Sequence, residues 1–110
     1  MAGLLMTEGP TTGANTLVAL TGELDIKTAP DLCSHLSRHR GKRVVVDLTN
    51  VAFCDSCGLR ALMGEAREAR FAGGSLAIVA PDGGQVRRLL DLTGLTTVLP
   101  TFASTAAATA

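Results

Sequence analysis

Val44-Val45-Val46-Asp47-Leu48 is the stretch that decides the fold. It is short, β-branched and almost continuously apolar, the composition of a central parallel strand covered on both faces. A loop containing Asn50 follows, then Phe53-Cys54-Asp55-Ser56-Cys57-Gly58. Beyond it the apolar period becomes helical. Leu59, Leu62, Met63, Ala66 and Ala69 fit the i, i+3, i+4, i+7 spacing, which places Arg60, Glu65, Arg67 and Glu68 mostly elsewhere on the helix. Gly73-Gly74 stops this helix, and Leu76-Ala77-Ile78-Val79-Ala80, closed by Pro81, is a second buried strand.

Working outward extends the same alternation. On the amino-terminal side, Leu4 to Thr7 reads as a short edge strand and Asn15 to Thr21 as a half-buried one, with Gly22-Glu23-Leu24-Asp25 leading the chain off it. Thr28, Ala29, Pro30 and Asp31 signal a helix start, with Thr as the cap, Pro in the first turn and Asp at the positive end of the dipole. Leu32 and Leu36 form its apolar stripe and Gly41 ends it. On the carboxyl-terminal side, Val86, Leu89 and Leu90 mark a third helix ended by Thr93-Gly94, and Thr97 to Leu99 reads as a last strand. Residues 101–110, rich in Thr and Ala, read as a flexible tail. Strands alternating with helices through short links imply parallel crossovers. The expectation is an α/β domain: a mixed sheet of four to five strands, parallel at its centre and antiparallel at its amino-terminal edge, with three to four helices. One domain spans 1–110, its core about 15–99.

Composition narrows the function. Of the 110 residues, 46% are hydrophobic but only 3% aromatic, so the core is aliphatic; ten Lys and Arg balance ten Asp and Glu. A neutral chain without Trp or Tyr lacks the basic footprint and the stacking platforms of a nucleic-acid binder. No run approaches the roughly 18 apolar residues of a membrane span. The first residues have no basic segment, and three cysteines suggest no secreted disulfide framework, which points to the cytoplasm.

Gly22-Glu23-Leu24-Asp25, Ala29-Pro30, Val45-Val46-Asp47-Leu48 and Asp55-Ser56-Cys57-Gly58-Leu59 together resemble the anti-sigma factor antagonists, members of the STAS domain family. Gly73-Gly74-Ser75-Leu76 and Leu89 to Leu95 extend the match over about residues 15 to 99, in the family's order and spacing. The resemblance implies a STAS-type fold and a non-enzymatic, cofactor-free bacterial regulator of transcription that works by partner switching, as in stress responses and sporulation. It implies that an anti-sigma factor serine kinase, supplying ATP and Mg, phosphorylates Ser56, that the unphosphorylated protein binds this kinase and frees the sigma factor, and that a phosphatase resets the switch. The partner-facing residues it implies are Asp25, Asp55, Ser56, Cys57, Gly58, Arg60 and Gly64, on a monomer or weak dimer. Family members commonly carry Ser or Thr where this chain has Cys57, and often Gly where it has Arg60, which sets a bulky cation on the helix expected to face the partner.

The residues admit other readings. Ser56 at a helix start also serves as an ordinary cap. STAS domains also serve as unphosphorylated accessory subunits of lipid-transport ATPases. Cys54 and Cys57 form C-x-x-C at a strand-to-helix junction, where thioredoxin-like proteins place a redox pair, but the Trp and Gly-Pro companions are missing; a regulatory disulfide or packed thiols fit better. No metal is expected: Cys33, His35 and His39 lie on another helix, and although His35 and His39 are one turn apart, a solvated face with Arg38, Arg40, Lys42 and Arg43 accounts for them. That basic cluster is either a solvated face or a dock for an acidic partner. Gly64 is either a helix flaw or a place of close approach for a partner.

Overall fold

The computed structural model describes residues 3–9 and 15–109; residues 1–2, 10–14 and 110, which the single-domain reading of 1–110 included, lie outside it. Five strands, β1 (Leu4–Glu8), β2 (Asn15–Leu24), β3 (Arg43–Cys54), β4 (Ser75–Val79) and β5 (Thr101–Phe102), form one sheet in sequence order. Helices α1 (Ala29–Ser37), α2 (Ser56–Phe71) and α3 (Gln85–Thr93) connect the parallel strands, and α4 (Thr105–Thr109) follows β5. Strand β1 is antiparallel to β2, and the pairs β2–β3, β3–β4 and β4–β5 are parallel. The mixed sheet with an antiparallel amino-terminal edge is the one expected.

Successive side chains on a strand point to opposite faces, and in β3 both sets are buried. Val44, Val46 and Leu48 join Val18, Leu20, Leu24, Leu76, Ile78 and the helix residues Leu32, Leu36, Leu59, Leu62 and Leu90 in the main core. Val45 and Val79 are equally buried but lie outside that cluster, on the opposite face. There the end of the chain covers them: Val45, Ala77, Phe102 and Ala108 line one shallow pocket, and α4 packs on β3, β4 and β5. The stretch read as a flexible tail therefore forms a strand and a helix, because without it Val45 and Val79 would face water at about 1.5–3 kcal/mol each.

Three other boundaries differ from the sequence reading. Strand β3 does not end at Leu48 but runs to Cys54, and β2 runs to Leu24, so Asn50 and Gly22 are strand residues. The two strands stay paired through register shifts near Thr21 and Gly22, a bulge that no short apolar pattern announces. Gly22, at φ 121°, lets the backbone of Gly3 pass where a Cβ would clash. Leu95–Thr97 is a single 3₁₀ turn, and the last strand is Thr101–Phe102 rather than Thr97–Leu99.

Candidate functional site

Leu24 and Cys54 are partners in the β2–β3 register, so both strands end at the same level and both chains turn there. After β2, Asp25 builds the turn into α1. Its Oδ1 accepts from the backbone N–H groups of Lys27 at 2.9 Å and Thr28 at 3.1 Å. The Thr28 hydroxyl donates to the Glu23 carbonyl at 2.9 Å and accepts from the Asp25 N–H at 3.0 Å. Thr28 thus makes no side-chain cap on α1, contrary to the sequence expectation; Asp25 holds the turn because the chain has already begun to wind there. One carboxylate oxygen of Asp25 is committed to shaping this edge.

After β3, Asp55 takes an extended conformation and caps α2, its Oδ1 accepting from the Gly58 N–H at 2.9 Å. The cap is Asp55, which leaves Ser56 free at the first helical position, exposed, its hydroxyl without a partner among the described residues. Gly58 is required by packing: a Cβ there would stand 2.5 Å from the Leu24 carbonyl oxygen and 2.7 Å from Leu24 Cγ. The first turn of α2 therefore sits directly on the end of β2, which brings the Asp25 turn beside Ser56. The same edge is held from the other side by Gln85, at the start of α3. Its amide donates to the Cys54 carbonyl at 3.0 Å and accepts from the Cys54 N–H at 2.9 Å.

Exposed residues continue from Ser56 along α2 at helical spacing: Arg60, Gly64, Arg67 and Phe71. Gly64 has open space around it, with nothing within 4 Å of a built Cβ. Cys57 is half-buried and Gly58 buried, so these two support the surface rather than present it. Beside the strand ends, Ile26 is 69% and Phe53 42% exposed. Sequence reasoning missed both, and it missed Gln85. The only signal for Ile26 and Phe53 is a large apolar residue next to a polar turn, and for Gln85 there is none short of the fold.

Cys54 is buried, and burial, reinforced by the charge of Asp55, pushes its thiol up to about 12. A redox nucleophile needs the opposite shift. Cys33, Cys54 and Cys57 are all free thiols.

The basic segment beyond α1 is only partly the solvated face expected. Arg38, Lys42 and Arg43 are exposed, but Arg40 reaches Glu65 at 2.8 Å, and Glu65, read as outward-facing, is 5% exposed. His39 is 7% exposed and His35 half-buried, and both turn toward Glu8 on β1. The solvated-face reading of the two histidines is thus corrected: the Glu8 carboxylate at the end of β1 reaches both rings, a contact between distant parts of the chain.

A serine hydroxyl is held in the open at the mouth of a helix, beside an acid-built turn and two exposed apolar side chains, while both histidines of the chain belong to a separate cluster with Glu8. Fold and site define a small α/β domain that presents a serine at a helix start. The chain belongs to the STAS domain family, whose model matches residues 7–108. It is 33% identical to the anti-sigma F factor antagonist of Paenibacillus polymyxa over 92 residues, which is 78% of this chain and 76% of that protein. Its structure is similar to that of an anti-sigma factor antagonist from Mycobacterium paratuberculosis (TM-score 0.83, 26% identity, 96% of this chain and 90% of that one). The fold alone is also shared with the Bacillus cell fate determinant SpoIIAA in its phosphorylated form (TM-score 0.64, 20% identity, 88% of this chain and 90% of that one). No helix among the described residues is long and apolar enough to cross a membrane.

Proposed function

We propose that this chain is a non-enzymatic, cytoplasmic anti-sigma factor antagonist that docks an anti-sigma factor kinase and is released when that kinase phosphorylates Ser56. The docked surface comprises the Asp25 turn, Ser56, the exposed face of α2 through Arg60 and Gly64, and Ile26 and Phe53 as apolar anchors. The observation that carries this reading is the exposed, unbonded hydroxyl of Ser56 at the first position of α2. Support comes also from the antagonist of Paenibacillus polymyxa to which the chain is similar.

Phosphate brings about −1.5 to −2 charges at neutral pH. Within the domain, the positive end of α2 favours the anion by about 0.3–1 kcal/mol, less what Asp55 takes back. At a docked interface, a buried charge without a matched partner costs about 3–5 kcal/mol. At about 1.4 kcal/mol per decade, the complex weakens a hundredfold or more while the fold persists. ATP, magnesium and the catalytic base belong to the kinase.

The test is incubation of the purified chain with the anti-sigma factor kinase of its own cell and ATP. One phosphate is added to the wild type and none to Ser56→Ala. Phosphate retained by the Ala variant, or the absence of any complex between the unmodified proteins, overturns the proposal.

A further inference from the structure

Far from Ser56, at the amino-terminal ends of the parallel strands, three metal-ligating side chains converge. Glu8 closes β1, opposite Val18 in the register. His35 stands in the last turn of α1, and His39 follows one turn later, its N–H bonded to the Leu36 carbonyl at 2.9 Å. Glu8 Oε2 lies 3.2 Å from His35 Nε2 and 2.9 Å from His39 Nε2, and one ligand atom from each residue falls within 4.8 Å of the others.

We propose that Glu8, His35 and His39 form a binding site for a divalent transition metal of the zinc class. Two imidazoles and one carboxylate are the ligand set of open, three-residue zinc sites. Zinc holds such atoms at about 2.0–2.2 Å, so neighbouring ligands at tetrahedral angles stand about 3.3–3.5 Å apart. The His35–Glu8 separation is already near that value, and the His39–Glu8 pair needs to open by a few tenths of an ångström.

The surroundings of His35 favour a shared ion over a simple pair. Its Nε2 is buried and makes no hydrogen bond, although Glu8 Oε2 is only 3.2 Å away. A buried nitrogen without a hydrogen bond is costly, and a bound metal would satisfy it. Arg38 adds positive potential at Glu8, and His39 Nδ1 has no outer partner; both hold the affinity below that of a fully supported structural site. Glu8 is the most exposed of the three, so the fourth position faces water or an incoming ligand. A metal there clips the edge strand β1 onto the end of α1.

The test uses zinc chloride on chelator-treated full-length protein, competed against a chromophoric zinc indicator. One zinc per chain is expected, together with a rise in Tm on saturation. Glu8→Gln, at an exposed position, keeps the fold by circular dichroism and binds zinc more weakly by more than the roughly 10–100-fold that loss of an outer-shell partner costs. His35→Gln does the same. Cobalt(II) gives intense visible bands of four-coordinate geometry without the near-ultraviolet charge transfer of thiolate ligands. The absence of stoichiometric zinc binding, binding unchanged in Glu8→Gln and His35→Gln, or binding lost instead in Cys57→Ser overturns the proposal. None of these outcomes bears on Ser56, which lies at the other end of the sheet.

Discussion

The side-chain amide of Gln85 binds both backbone polar groups of Cys54, accepting from its N–H at 2.9 Å and donating to its carbonyl at 3.0 Å. It continues the sheet where β4 has ended, two residues before Ser56. Each such bond is worth about 0.5–1.5 kcal/mol net. Gln85→Ala is expected to cost about 1–3 kcal/mol, lowering Tm by about 4–8 °C per kcal/mol in a domain of this size. Gln85→Glu sets a second acceptor against the Cys54 carbonyl and is expected to be no better than Ala. Thermal melts followed by circular dichroism check both, and equal stability of Glu and Gln at this position would show that the clamp does not hold in solution.

Asp55 and Ser56 divide the helix start between them, one for folding and one for exposure. Asp55→Ala removes the cap on the Gly58 N–H and is expected to cost about 1 kcal/mol; Asp55→Asn retains an acceptor and loses only a few tenths. Ser56→Asp adds a charge at the positive end of α2 and leaves stability within about 0.5 kcal/mol. Its affinity for the anti-sigma factor kinase is expected to fall by about a hundredfold or more. Chemical denaturation beside calorimetric titration separates the two effects, and a Ser56→Asp variant that binds like wild type would remove the electrostatic account of release.

Much of this arrangement is legible in the sequence. The β-branched run at Val44, the helical period from Leu59 and the glycine stops fix the alternation of strands and helices, because burial on a sheet or a helix imposes its own spacing. The carboxyl-terminal segment is not legible, since Thr and Ala carry no strong pattern and α4 packs on the second face of the sheet. The exposed position of Ser56 at a helix start is legible in the sequence, whereas the division of labour with Asp55 depends on one backbone turn. Glu65, Gln85 and the Glu8–His35–His39 cluster depend on contacts between distant parts of the chain, and no local pattern encodes them.

Gly58 and Gly64, six positions apart on α2, are expected to respond to alanine with opposite signs. At Gly58 a Cβ meets the Leu24 carbonyl oxygen at 2.5 Å, so α2 must lift off β2, at the 1–3 kcal/mol typical of overpacking, or about that order. At Gly64 a Cβ meets nothing within 4 Å, and Ala gains up to about 1 kcal/mol of helix propensity. Urea titrations give both values. On the proposed docking face, Gly64→Arg is then expected to preserve the fold and weaken the kinase complex, which a small residue leaves room for.

The thiols supply a last discriminating measurement. Burial and the neighbouring Asp55 charge raise Cys54 from 9.0 to about 12, and burial also raises Cys33, with Glu65 adding to it. A thiol held protonated is a poor nucleophile, so Cys54 is expected to resist a disulfide-exchange reagent at pH 8 in the native protein and to react once urea unfolds it. The linkage has a definite sign. Between about 9 and 12 the native Cys54 keeps its proton while the unfolded one has lost it, so stability falls as pH rises through that window and is unaffected below it. Mild oxidant is therefore expected to leave Cys54 and Cys57 unjoined and kinase binding unchanged, as read by peptide mapping and by non-reducing electrophoresis. Rapid native labelling of Cys54, or a Cys54–Cys57 disulfide that alters binding, would instead restore the redox switch as the account of this site.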